Sequence, residues 1–189
     1  MTNAPDLRKE IVFPILTLCI SCALLLSAGE LMVRVIAPLD AMYPRWDFSA
    51  EYGLLPFANC TMVHEVPGKW KFTYTTNKNR SRGTANSSAS SKPAIVVLGD
   101  SFTFGMGVND GEEYVSVMDS LLNEQYNVVN AGCGGWGITQ EIRRFYDFGV
   151  HYSPKFVVLQ FAINDPEDNL NYRVTRIENG KFVFENSHN

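Results

Sequence analysis

Positive charge is scarce in this chain of 189 residues: 16 lysines and arginines stand against 20 acids, for a net charge of −4. No basic stripe runs through it, which excludes the electrostatic footprint of nucleic-acid binding. Histidine is scarcer still, with His64, His151 and His188 the three present. Chemistry that needs an imidazole therefore has few places to draw on. Four cysteines occur. Cys19 and Cys22 sit in an apolar run and behave there as small hydrophobes. Cys60 and Cys133 lie outside it, where a disulfide is chemically possible but not fixed by sequence. No internal repeat is evident. No lysine follows the glycines in the manner of a P-loop, and no Gly-x-Gly-x-x-Gly opens a helix after a strand, so a phosphate-binding or flavodoxin-like binding role ranks last. Nothing calls for a metal or cofactor.

What is present begins with Ile11–Gly29, nineteen residues without a charge. As a helix this run covers roughly 28 Å, close to the hydrocarbon thickness of a bilayer. Arg8 and Lys9 precede it, favouring a cytoplasmic N-terminus over residues 1–10. The run exceeds an ordinary signal-peptide core, which points to a retained transmembrane anchor. Ser27-Ala28-Gly29 also suits cleavage, so a signal segment is the rival. Either reading places the remainder outside the cytoplasm, in a periplasmic or extracellular space, with the membrane as partner through residues 11–29.

Residues 30–92 form a connecting region. Pro38, Pro44, Pro56 and Pro67 prevent long helices, Lys69–Thr76 alternates like a half-buried strand, and residues 77–92 have the composition of an exposed loop. Residues 93–189 change character. Strands are expected at Ala94–Gly99, Tyr126–Ala131 and Lys155–Ile163, each apolar enough for burial on both faces of a parallel sheet. A helix over Glu113–Glu124 places Val115, Met118, Leu121 and Leu122 on one face, and another opens at Thr139 with Glu141 in its first turn. Asn179-Gly180 between two strand-like runs predicts a terminal hairpin.

The strand ends carry the chemistry. Gly99-Asp100-Ser101 follows the first strand, Asn130-Ala131-Gly132-Cys133-Gly134-Gly135 the second, and Ala162-Ile163-Asn164-Asp165 the third. In a parallel sheet all three emerge on one edge, where sites of open α/β folds lie. A serine on a strand-to-helix turn also sits beside free backbone N–H groups able to stabilise an oxyanion.

Together these segments resemble the SGNH (GDSL-type) hydrolase family over about Ala94–Asn169. The resemblance implies a three-layer α/β/α flavodoxin-like parallel sheet, here incomplete, behind the N-terminal transmembrane helix. It implies Ser101 as catalytic nucleophile, and an oxyanion hole of the Ser101 N–H, the Gly135 N–H and the Asn164 side-chain amide. Ala162 stands where the family usually has glycine. The family's general-base histidine lies in a C-terminal Asp-x-x-His block that has no clear counterpart. His64 precedes the serine, and His151 falls at the opposite sheet end. His188, in Glu185-Asn186-Ser187-His188, is a weak candidate following a hairpin. The resemblance thus implies an exported esterase acting on a small ester or an acylated glycan, with no cofactor. The alternatives are an O-acyltransferase of cell-surface glycans, and a non-catalytic membrane-tethered module or truncated remnant.

Overall fold

A computed structural model of the chain describes residues 8–37, 41–43, 46–83, 90–122, 125–171 and 174–185. Two units emerge, Met1–Asp40 and Ala41–Asn189. In the first, a short π-helical segment Arg8–Val12 leads into helix α1, Phe13–Ile36. Pro14 is tolerated because the first turn needs no N–H donor. None of its residues is buried. The helix runs past Gly29, and Glu30 and Arg34, four apart, pair at 2.8 Å on its exposed surface. Glu10–Ile36 is long and apolar enough to cross a membrane, with mean hydropathy 2.5.

The second unit opens with short strands. β1 (Ala41–Tyr43), β4 (Thr61–Val66) and β5 (Trp70–Thr75) form an antiparallel sheet in the order β1-β4-β5, and β2 (Asp47–Ser49) pairs with β3 (Gly53–Leu55) as a hairpin. Opposed residues Met62 and Tyr74 are fully buried against Phe104. The free side of β5 is closed by acceptors from another loop: Asn109 takes the Thr73 N–H and Asp110 the Thr75 N–H. Such cover blunts an edge that would otherwise pair with a second chain.

A parallel sheet follows, with β6 (Ala94–Leu98) between β7 (Asn127–Asn130) and β8 (Phe156–Leu159). Alternation along β6 decides which side chain meets which layer. Ala94, Val96 and Leu98 join Val129, Ala131 and Tyr152 on one face, where Phe145 of helix α4 (Ile138–Asp147) and Phe148 pack. Ile95 and Val97 join Val128 on the other, against Val115 and Met118 of helix α3 (Tyr114–Leu121). The result is mixed α/β. The terminal hairpin forms as expected, with β9 (Thr175–Glu178) and β10 (Lys181–Phe184) joined by Asn179-Gly180, both at positive φ.

Three expectations fail, each for a reason of packing. Leu121 is 80% exposed, because the buried stripe of α3 runs through Val115, Met118 and Leu122 instead. The third strand is shorter than Lys155–Ile163, and it is not buried on both faces. Phe156, Val157, Val158 and Leu159 are all exposed, β8 being the edge strand of its sheet and the helices that cover β6 and β7 not reaching it. Residues 77–92 are not uniformly an exposed loop: Asn77, Ser81 and Arg82 are buried.

Candidate active site

The three suspected segments leave the sheet at one edge, since β6 pairs in parallel with both β7 and β8. The first turns at once into a four-residue helix, α2 (Ser101–Phe104). Asp100 caps it, its Oδ1 accepting the Phe102 N–H at 2.9 Å. That bond satisfies one of the free donors of the helix start. Ser101 occupies the first helical position and is partly exposed. At the other end Gly105 and Met106 both donate to the Ser101 carbonyl.

The guanidinium of Arg82 closes α2 from below. Its Nη1 donates to the Phe104 and Gly105 carbonyls, and its Nη2 reaches the Val108 carbonyl at 2.7 Å. The Arg82 side chain is wholly buried, with Nε 3.4 Å from Asp110 and 3.6 Å from buried Glu113, and its plane lies 4.6 Å over the Tyr74 ring. Sequence reasoning missed this residue, because its neighbours have the composition of a loop.

The second segment is packed directly onto the first. A β-carbon at Gly132 would stand 2.7 Å from Thr103 Cβ and 2.8 Å from the Phe104 nitrogen, so only glycine lets the loop approach so closely. Cys133 donates its N–H to the Gly99 carbonyl, and the Asn130 amide donates to the Thr103 carbonyl at 2.8 Å. Gly135 is a different case. It has room, with Leu54 Cδ1 at 3.9 Å the nearest atom to an added β-carbon, but its φ of +77° is one that side-chain-bearing residues rarely adopt.

The wall beside this loop comes from the connecting region. Trp136 donates its indole N–H to the Leu54 carbonyl at 2.8 Å and stacks on Tyr52 at 5.0 Å. Trp46 packs edge-on to Phe104 at 5.5 Å. Burial and the Asp147 carboxylate push the Tyr52 hydroxyl well above its usual range, so it stays a donor.

The third segment is tied in as well. Gln160 donates its N–H to the Leu98 carbonyl, while its side-chain oxygen accepts from Thr103 at 3.0 Å. Asn164 is half-buried, and one proton of its amide is held by Asp168 at 2.7 Å. Asp165 opens helix α5 (Asp165–Asn171), its Oδ2 accepting the Ala162 N–H at 2.8 Å. Asn169 of that helix accepts from the Thr139 backbone N–H and hydroxyl, both at 3.0 Å. The first segment is thus bonded to the second loop and to the end of β8, and the start of α4 to α5.

A family model described as GDSL-like Lipase/Acylhydrolase matches residues 97–181. The chain carries a domain of this acylhydrolase family. The matched stretch begins on β6, ends at β10, and contains Ser101, Gly135 and Asn164. A comparison with curated proteins returns no match.

The histidines are placed less tightly. His151 lies exposed in a 3₁₀ turn, Gly149–Tyr152, just before β8 and so at the opposite end of the sheet from Ser101. His64 sits half-buried on β4, edge-on to Trp70 at 4.7 Å. His188 lies outside the described residues. Cys60 and Cys133 are both free thiols. Among the described residues no group of histidine, cysteine and acid side chains could hold a metal ion.

Proposed function

We propose that the chain is an exported acylhydrolase that cleaves an ester with Ser101 as its nucleophile. The observation that carries this reading is the emergence of the Ser101, Gly135 and Asn164 loops at one sheet edge, the Ser101 turn bonded to the other two strand ends, inside a domain of an ester-hydrolase family. Ser101 Oγ attacks the acyl carbon, and the carbonyl oxygen takes up the negative charge. The N–H groups of Ser101 and Gly135, and the Asn164 amide proton not held by Asp168, meet that charge. Donors preset where charge develops contribute about 2.7–4 kcal/mol each to transition-state stabilisation. Collapse expels the alcohol, which leaves carrying the proton that Ser101 Oγ gave up, and an acyl-serine remains. Water then releases the acid and restores the hydroxyl.

A serine hydroxyl needs an adjacent base to react quickly. His188 is the candidate within this sequence. The scaffold in this reading is the flavodoxin-like three-layer sheet, and Glu10–Ile36 serves as membrane anchor or signal segment. The substrate class is a small ester or an acylated glycan.

The test is covalent labelling of the folded full chain by a fluorophosphonate, with Ser101→Ala as control. Stoichiometric label on Ser101, lost in the variant, supports the reading. A folded chain that takes up no label refutes it and favours a non-catalytic membrane-tethered module.

A further inference from the structure

Three carboxyl side chains lie buried within one another's electrostatic reach behind the proposed site: Asp100, Glu141 and Asp165, each with no solvent exposure. They come from three elements, the β6–α2 turn, the first turn of α4 and the start of α5. Two are half-satisfied. Asp100 Oδ1 caps Phe102 and Asp165 Oδ2 holds Ala162, while Asp100 Oδ2 and Asp165 Oδ1 have no partner. Glu141 has a partner on neither oxygen.

No cation answers this charge among the described residues. The arginines next along α4 are engaged elsewhere, Arg143 with Asp147 and Glu185, Arg144 with Asn79 and Ser81. The titratable groups facing the cluster are acidic or neutral: Asp168 of α5 acts on Asp165, and Tyr114 of α3 lies within the field of Asp100 and Glu141. Three buried carboxylates without a counter-charge cannot all stay ionised. Protonation of one of them relieves the charge.

We propose that Glu141 is a positioning residue, a neutral carboxylic acid that keeps a third charge away from Asp100 and Asp165 and so lets the Ser101 turn and the Asn164 turn stay packed. The roles of those two turns rest on the function proposed above. Each aspartate is fixed to its own loop by a backbone N–H, one residue past Ser101 in the first case and two before Asn164 in the second. Ionisation of Glu141 would set a third negative charge against both loops at once. Burial, then the charges of Asp165 and Asp100, push the Glu141 carboxyl up to about 8. The unfolded chain releases this proton near pH 4.3. The neutral form and the packing it permits therefore hold at low pH and are lost as pH rises through about 8.

The test uses the folded full chain in detergent and needs no hydrolysis. Infrared difference spectra at pH 7 read the C=O stretch of a buried protonated carboxyl, and hydrogen exchange reads the Phe102 and Ala162 amides. The expected result is a band that Glu141→Gln removes. Protection of both amides, corrected for intrinsic rate, falls together at least tenfold as pH passes about 8 in the wild type. Glu141→Gln, permanently neutral, keeps protection flat. Absence of the band, or protection that ignores pH in the wild type, overturns the proposal. Should the variant not fold, the wild-type band and its titration decide alone. Loss of fluorophosphonate labelling would sink the hydrolase reading and leave this result standing.

Discussion

Replacing Arg82 with methionine removes a cation that both closes α2 and answers two acids. The loss can be worked through group by group. The Phe104, Gly105 and Val108 carbonyls lose their charged donor, and hydrogen bonds to a charged group contribute about 1.5–3 kcal/mol each. Glu113, whose side chain is 2% exposed, is left without its counter-charge. Methionine keeps the contact with Tyr74 and Phe104, so little packing is lost. Breaking one side of a buried pair costs about 3–5 kcal/mol, and non-additivity within one cluster makes that total the better guide than the sum of bonds. For a unit of this size the melting temperature should fall by roughly 6–20 °C. Arg82→Lys keeps the charge without the planar fork and should lose about half as much. Arg82→Met with Glu113→Gln should be more stable than Arg82→Met alone, because the stranded carboxylate is gone. The assay is thermal unfolding of the full chain followed by tryptophan fluorescence. A loss under about 1 kcal/mol, or no coupling between the two substitutions, refutes the reasoning.

Two further outcomes follow from the packing of the second loop. Gly132→Ala should destabilise by about 1–3 kcal/mol, since its methyl group meets Thr103 Cβ and the Phe104 nitrogen and must push the loop off α2; the same change should slow Ser101 labelling severalfold, read by fluorophosphonate kinetics. Cys133 is fully enclosed, and burial holds its thiol well above the ordinary range. It should resist maleimide in the folded chain at neutral pH and react once denaturant is added, whereas partly exposed Cys60 should react first; peptide mass mapping distinguishes the two.

Much of the framework was legible along the chain because local periodicity carries it. The apolar runs of β6 and β7, the Asn179-Gly180 turn and the Gly-Asp-Ser turn are each specified within a few residues. The α3 stripe was legible too, except at Leu121, where the sequence could not say which of two adjacent leucines the sheet would cover. Residues 77–92 misled for a related reason. A polar, turn-rich composition forecasts exposure, yet Arg82 is drawn inside by carbonyls more than twenty residues further on. The wall formed by Tyr52, Leu54 and Trp46 was invisible as well, since its partner Trp136 lies 82 residues from Leu54.

The sequence alone determined the order of strands and helices, the apolar segment at the start, and the residue types presented at each strand end. These follow from short-range rules of spacing and turn chemistry. The tertiary structure decided which polar groups lose water. Glu141 looks like an ordinary first-turn acid, placed where a helix start favours negative charge. Only the meeting of three chain segments makes it the buried neighbour of Asp100 and Asp165. Burial depends on the whole fold, so the charge state of such a group is a property of the tertiary structure.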